Sequence, residues 1–97
     1  MSGPACEVEL PSIPDRVALD AIDEFLTGVC EHIKRTRKGR VWDVWIDERP
    51  VHVAVVDSRG AVELSAGCNA PEDYAILRRL GRSLADILGG KATEPLK

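Results

Sequence analysis

Apolar residues recur at intervals of three and four positions in the first third of the chain, which is the spacing of one face of an α-helix. Residues 12–15 have the form of a capping box, in which Ser12 and Asp15 satisfy early helical amides. We predict a helix from there to about Arg37, where basic residues suit the negative end of the helix dipole and Gly39 can end the helix. The predicted apolar stripe consists of Leu19, Ile22, Leu26, Val29 and Ile33, with Phe25 and Cys30 beside it.

The same spacing returns near the end of the chain. Asn69 is suited to cap a helix, Pro71 suits its first turn, and Glu72 stands at the capping-box position. Gly89 and Gly90 predict where this second helix ends. Its predicted apolar stripe consists of Leu77, Leu80, Leu84 and Ile87.

Between the two helical stretches the pattern changes to one typical of strands. Residues 41–46, 51–56 and 61–65 are rich in β-branched and aromatic side chains, so we predict three strands. Short turns separate them, and Gly60 in the second turn readily takes the positive φ of a bulged hairpin. Short connections of this kind join antiparallel neighbours, which predicts a three-stranded antiparallel meander.

The predicted fold class is therefore α+β, in the order helix, strand, strand, strand, helix, with both helices packed on one face of the meander. Alternation in residues 6–10 is compatible with a short N-terminal edge strand. We expect an N-terminal arm over residues 1–11, a single domain over residues 12–90 and a flexible C-terminal tail over residues 91–97.

The face of the sheet away from the helices lacks a cover in this prediction. Alternation in the first strand places Trp45 on the face opposite Trp42, and the second strand is apolar at nearly every position. Aromatic side chains rimmed by polar residues are typical of protein interfaces. The alternative interpretation is that the N-terminal arm covers this face and Trp45 is a core residue. The predicted interface consists of Val41, Asp43, Trp45, His52, Ala54 and Val56.

The densest group of charges lies in residues 34–40, and such a basic run can bind phosphate or an acidic partner. The alternative interpretation is a solvated turn, because cations at a helix C-terminus are stabilising without any ligand. The candidate anion-binding residues are Lys34, Arg35, Arg37, Lys38 and Arg40.

The composition of the chain argues against several classes of function. A net charge of −3 over 97 residues argues against nucleic acid as the main partner, since affinity for it rests on neutralising phosphates. Three widely spaced cysteines indicate reduced thiols, and without a Cys-x-x-Cys pair or clustered histidines we expect neither a metal site nor a cofactor. No segment approaches the roughly 20 apolar residues needed to span a bilayer. We therefore expect a cytoplasmic protein with no membrane association.

Candidate catalytic side chains lie on the predicted strands and turns without a recognisable constellation. His52 is the best of them, yet a lone histidine in an apolar strand is more often a hydrogen-bonded structural residue than a catalyst. The predicted elements also leave little room for a pocket of ordinary size. We therefore expect a protein that is not an enzyme.

The predicted order of elements resembles the double-stranded RNA-binding domain. That family presents a lysine-rich start of its second helix to phosphates, whereas this chain has Ala70, Pro71, Glu72 and Asp73 there. The order is also similar to the core of small acidic secretion chaperones, which are non-enzymatic homodimers.

These observations together predict a small non-enzymatic interaction module of the adaptor, immunity or chaperone type. The expected partner is a second copy, bound through the sheet face that bears Trp45, or another protein. The alternative function is binding of an anion or nucleic acid through the basic turn of residues 34–40.

Overall fold

A computed structural model describes residues 3–36 and 38–93 of the chain. The protein is an α+β fold in which six strands form one sheet and two helices pack against it. A short 3-10 turn, Asp57–Arg59, joins the fourth and fifth strands. In chain order the elements are β1 (Ala5–Glu9), α1 (Arg16–Val29), β2 (His32–Thr36), β3 (Val41–Ile46), β4 (Arg49–Val56), β5 (Ala61–Ala66), α2 (Pro71–Leu88) and β6 (Lys91–Ala92).

The sheet has the strand order β2-β3-β4-β5-β1-β6, and every neighbouring pair is antiparallel. The prediction of a three-stranded meander is therefore wrong. Strands β3, β4 and β5 do pair in succession, but β2 extends the sheet on one side and β1 and β6 extend it on the other. The helix, strand, strand, strand, helix order fails with it, so the likeness to RNA-binding domains and secretion chaperones loses its basis.

The additional strand β2 comes from a segment predicted to be helical. Helix α1 ends at Val29, and Cys30 already has an extended backbone. Gly28 and Val29 are weak helix formers, and pairing with β3 gives hydrogen-bond partners to the backbone groups on one side of the next residues. Ile33 matched the helical spacing by coincidence and instead lies on β2, opposite Val44.

The N-terminal segment does not form an edge strand and does not cover the far face. Strand β1 lies inside the sheet between β5 and β6, with Cys6 opposite Leu64 and Val8 opposite Val62. Residues 5–9 of the predicted arm thus belong to the sheet. Strand β6, which follows α2 in the chain, pairs with β1 and forms that edge of the sheet. Residues 94–97 of the predicted tail lie outside the described residues.

Both helix starts differ in detail from the prediction. Asp15 caps α1 by accepting a hydrogen bond from the Ala18 amide, a role that the sequence pattern predicts for Ser12. In α2 the N-cap position is Ala70, and the Asp73 carboxylate accepts its amide hydrogen. The predicted end of α2 is confirmed, since Gly89 takes the left-handed conformation there.

One hydrophobic core lies between the sheet and the two helices, so both helices do pack on the same face. Trp42 at its centre has no solvent exposure. Its indole N–H donates to Asp23 on α1 at 3.0 Å, and the Arg35 guanidinium stacks 5.2 Å from the ring centre. Within the described part of the chain, neither helix has the length and apolar character needed to cross a membrane.

Candidate functional site on the outer face of the sheet

The sheet face opposite the helices, here called the outer face, carries all six residues predicted to form an interface. Cross-strand pairs place Val41 opposite Ala54, Asp43 opposite His52, and Trp45 opposite Pro50. Val56 follows on β4 in the same alternation. The structure thus brings together the predicted set of Val41, Asp43, Trp45, His52, Ala54 and Val56 on one surface.

The two tryptophans are three residues apart on β3 and therefore lie on opposite faces of the sheet. Trp42 belongs to the core, whereas 44% of Trp45 is exposed. The alternative in which Trp45 is a core residue is excluded by this exposure. A tryptophan in water leaves a large apolar area unburied, which makes its site the first place to look for a partner.

A cavity of about 570 Å³ adjoins Trp45 and is lined by Glu31, His32, Trp45 and Glu48. Glu31 is held in place because its two carboxylate oxygens accept the backbone N–H groups of Asp47 and Glu48, at 3.1 and 3.0 Å. Those two residues form the β3–β4 turn with positive φ angles of 51° and 64°. The Trp45 end of the sheet is therefore acidic.

Sequence reasoning missed Glu31 as part of this site because the predicted helix runs through this residue to about Arg37. Its position just before β2 places it beside the β3–β4 turn. The only signal was the pair of neighbouring turn residues, Asp47 and Glu48, whose amides need an acceptor.

The centre of the outer face holds an Asp–His pair. His52 Nδ1 lies 2.8 Å from Asp43 Oδ1, and Ser65 stands opposite His52 on β5. A smaller cavity of about 350 Å³ is lined by these three residues together with Trp45 and Pro50. Both members of the pair are about half exposed, and no hydrogen bond joins Ser65 to His52 in the described part of the chain. The arrangement is that of a hydrogen-bonded pair on the surface and not of an activated nucleophile.

The half of the outer face formed by β5 and β1 has a different character. Arg59 binds Glu7 at 2.8 Å and also pairs with Glu63, so these charges satisfy one another. This polar network marks the boundary of the outer-face surface on β3 and β4 that carries the apolar and aromatic side chains.

The structure brings three of the candidate anion-binding residues to one cleft, which Arg35, Lys38 and Arg40 line, and places Lys34 elsewhere. Arg35 turns toward α1 and pairs with Asp20 and Asp23, at 3.6 and 3.9 Å. Arg40 pairs with Asp57 at 2.7 Å. Lys34 lies on the outer face of β2 opposite Asp43, Lys38 is exposed in the β2–β3 turn, and Arg37 lies outside the described residues.

A cleft of about 680 Å³ lies beside the β2–β3 turn, between it and the start of α1. The charged residues that line it are Asp15, Arg16, Asp20, Arg35, Lys38 and Arg40. Carboxylates pair with the three arginines but not, among the described residues, with Lys38, so the cleft offers an anion less positive potential than the sequence indicates.

The three cysteines are separated in the fold. Cys6 is buried, Cys30 is half-buried and Cys68 is exposed. Burial, together with the nearby Glu31 carboxylate, raises the pKa of the Cys30 thiol to about 11, so it is protonated at neutral pH. Among the described residues, no three His, Cys, Asp or Glu side chains are grouped so that they could hold a metal ion.

Comparison with known proteins does not assign this surface to a function. The chain matches no protein-family model, and no curated protein matches its sequence.

Proposed function

We propose that this protein is a small non-enzymatic interaction module, and that the β2, β3 and β4 part of the outer face is its binding surface. The observation that carries the proposal is the exposed Trp45, which lies on the sheet face that neither helix covers. Aromatic anchors surrounded by polar groups are typical of interface centres.

The apolar neighbours of Trp45 support this proposal. Val41 and Ala54 face each other across β3 and β4, and Pro50 stands directly opposite Trp45. The Asp43–His52 pair lies between these two apolar groups, and Glu31 and Glu48 flank Trp45, so apolar and polar side chains are mixed on this surface as they are in many interfaces. The partner we propose is a second copy of the chain, as in adaptor, immunity and chaperone modules that act as dimers.

The alternative function, anion or nucleic-acid binding by the basic turn, has less support. Two of its cations, Arg35 and Arg40, are engaged by carboxylates of the same chain. Retention on heparin that falls steeply with salt, and that is lost on Lys38→Glu, would favour this alternative over the protein interface.

Fluorine NMR of protein labelled with 5-fluorotryptophan tests the proposal, because Trp42 and Trp45 each give one resonance. Trp45→Ser assigns the two signals. We expect the Trp45 resonance to shift as protein concentration rises from about 10 µM to 1 mM, a range that brackets weak interfaces. The buried Trp42 resonance stays in place and serves as the internal control.

Sedimentation of Trp45→Ser and Ile87→Ser provides the second readout. Ile87 is exposed to a similar extent, 47% against 44%, but lies on α2. We expect only Trp45→Ser to abolish self-association. Equal association of the two variants, or a wild-type Trp45 signal that does not move with concentration, would contradict a homodimer through this face.

A further inference from the structure

The edge strand β2 has backbone hydrogen-bonding groups that the sheet does not use. It has five residues and pairs with β3 on one side only, whereas the opposite edge strand, β6, has two residues. Strand β2 also contains no proline, which would block the addition of a further strand. Of the two edges, the one formed by β2 is therefore the better suited to extend the sheet.

The register of the sheet shows which groups of β2 are free. The Val55 amide on β4 donates to the Arg40 carbonyl at 2.9 Å, just before β3 begins. The alternation of antiparallel pairs then assigns the even-numbered residues of β3 to β4 and the odd-numbered residues to β2. The backbone N–H and C=O groups of Ile33 and Arg35 consequently point away from β3, into the space beyond the edge.

The outer-face side chain at the middle of this edge is a cation without an ionic partner. Lys34 is exposed and, among the described residues, has no carboxylate within 4 Å. Asp43, its neighbour in register on β3, instead binds His52 on the far side of β3 at 2.8 Å. Lys38 in the following turn is a second exposed ammonium, and the Glu31 carboxylate is held at the β3–β4 turn. The edge therefore favours a negatively charged partner.

The helix-facing side chains of β2 have a different character. Ile33 is half-buried and packs against the hydrophobic core. Arg35 pairs with Asp20 and Asp23 of α1, so its charge is already compensated. A strand laid along this edge would thus meet an ammonium on one face of the sheet and an isoleucine on the other.

A second copy of β2 does not fit this edge. Two β2 strands paired antiparallel about their centres would place Lys34 against Lys34 of the other copy, and like charges directly opposite each other are destabilising. Lysine on an edge strand is a common device against such pairing. A carboxylate on the incoming strand makes the same cross-strand contact attractive.

We infer that the β2 edge binds an extended acidic segment of another protein, which adds to the sheet as a seventh strand antiparallel to β2. Acidic residues of the segment lie opposite Lys34 on the outer face, and apolar residues alternate with them opposite Ile33. The free backbone groups of Ile33 and Arg35 supply the main-chain hydrogen bonds, as in other cases of strand addition. The antiparallel direction continues the pairing found throughout the sheet. This inference concerns a separate surface and does not depend on the proposed outer-face interface.

A capped eight-residue peptide of alternating valine and glutamate is the probe. In the inferred pairing its valines lie opposite Ile33 and Arg35, whose amides acquire acceptors. We expect NMR to show exchange of these two amides slowed about tenfold when about 90% of the chain is bound, because exchange then proceeds from the free fraction. The amides of His32, Lys34 and Thr36 already bind β3 and should exchange as before.

Two N-methylated forms of the peptide test the main-chain contacts. Methylation of the valine nitrogens removes the donors that face β2, so we expect binding to be lost. Methylation of the glutamate nitrogens, which face solvent in the same pairing, should change the affinity by no more than about threefold. The two peptides have the same composition and charge. Equal affinities would therefore overturn strand addition in the inferred direction.

Lys34→Glu tests the selection by charge. We expect it to weaken binding of the valine–glutamate peptide by about fivefold or more, and to strengthen binding of the corresponding valine–lysine peptide. The gain for the second peptide shows that the variant is folded. Lys91→Glu, at an exposed position on the other edge strand, changes the net charge equally and should bind both peptides like the wild type. An unchanged preference in Lys34→Glu would overturn the role of the charge.

The remaining outcomes separate this inference from its alternatives. Peptide binding that weakens with Lys34→Glu but leaves the Ile33 and Arg35 amides in fast exchange, together with retention on heparin, would identify a polyanion site and overturn strand addition. Trp45→Ser should bind the peptide like the wild type even if it abolishes self-association. A wild-type chain whose edge amides do not respond to about 5 mM peptide would overturn the inference and leave the outer-face proposal standing.

Discussion

Asp73 is the one charged residue that the described part of the chain buries, with only 1% of its surface exposed. Its Oδ2 accepts hydrogen bonds from the Ala70 amide at 3.1 Å and from the Arg49 guanidinium at 3.0 Å. It thereby ties the first turn of α2 to the start of β4, next to the turn that carries Glu48. A residue far from the outer face thus helps to hold the end of the sheet at which Trp45 lies.

We expect Asp73→Ala to destabilise the fold by about 2–3 kcal/mol, because it removes a helix cap and leaves Arg49 with only its exposed partner. Glu72→Gln is the control, since Glu72 binds the same guanidinium at 3.0 Å but is largely exposed. Its loss should cost no more than about 0.5 kcal/mol. Urea denaturation measures the free energy of unfolding of both variants. A similar loss of stability in the two would show that the burial of Asp73 does not contribute.

At the scale of elements, the close approach of β6 to β1 depends on Gly90. A Cβ at this position would collide with the Glu9 carbonyl oxygen. Just beyond, the Thr93 amide donates to the Glu7 carbonyl at 2.8 Å, and its hydroxyl accepts from the Glu7 amide at 3.0 Å. These contacts hold the last described residues of the chain against β1, at the edge of the sheet.

We expect Gly90→Ala to lower stability by about 1–3 kcal/mol, since the backbone of β6 must shift away from β1. Gly28→Ala is the matched control, because nothing lies within 4 Å of a Cβ built there in α1. Alanine is the better helix former, so Gly28→Ala should be neutral or stabilising by up to about 1 kcal/mol. Thermal denaturation measures the change in stability that each variant causes. Destabilisation by both variants, or stabilisation by both, would contradict the close packing at Gly90.

The elements that could be predicted from the sequence are those that are indicated by residues close together in the chain. The alternation of β3 predicted that Trp42 and Trp45 lie on opposite faces, and Gly89 predicted the end of α2. Strand β2 was missed because Ile33 follows Val29 at a helical interval, and only pairing with β3 reveals the strand. Strands β1 and β6 were not placed because their partners are distant in sequence, as with Val8 and Val62.

The same distinction explains the candidate site. Its six predicted residues lie on neighbouring strands of one hairpin, so their shared face follows from alternation. The acidic character of the Trp45 end depends on Glu31, which reaches the β3–β4 turn only after α1 ends and β2 pairs with β3. The neutralised state of Arg35 likewise depends on packing of α1 against the sheet.

At the scale of the whole molecule, the helices cover one sheet face and leave open the outer face and the two sheet edges. The edge strand β6 has only two residues, so copies could meet through the outer face or through the five-residue edge of β2. Alternate N–H groups of a strand point to opposite sides, so about half of those in β2 point away from β3. Amide hydrogen exchange can therefore distinguish the two modes. Edge pairing would give these N–H groups new acceptors, whereas face packing would not.

We expect exchange of the β2 amides, measured residue by residue by NMR, to be equally fast below and above the concentration at which the protein self-associates. Their protection reflects local hydrogen bonding, which packing of the outer faces leaves unchanged. Trp45→Ser at high concentration supplies the dissociated reference. Slower exchange of only those β2 amides that point away from β3 would place the second copy at the edge of β2. Only a new strand beyond β2 would give these N–H groups acceptors without changing the N–H groups that are already bound to β3.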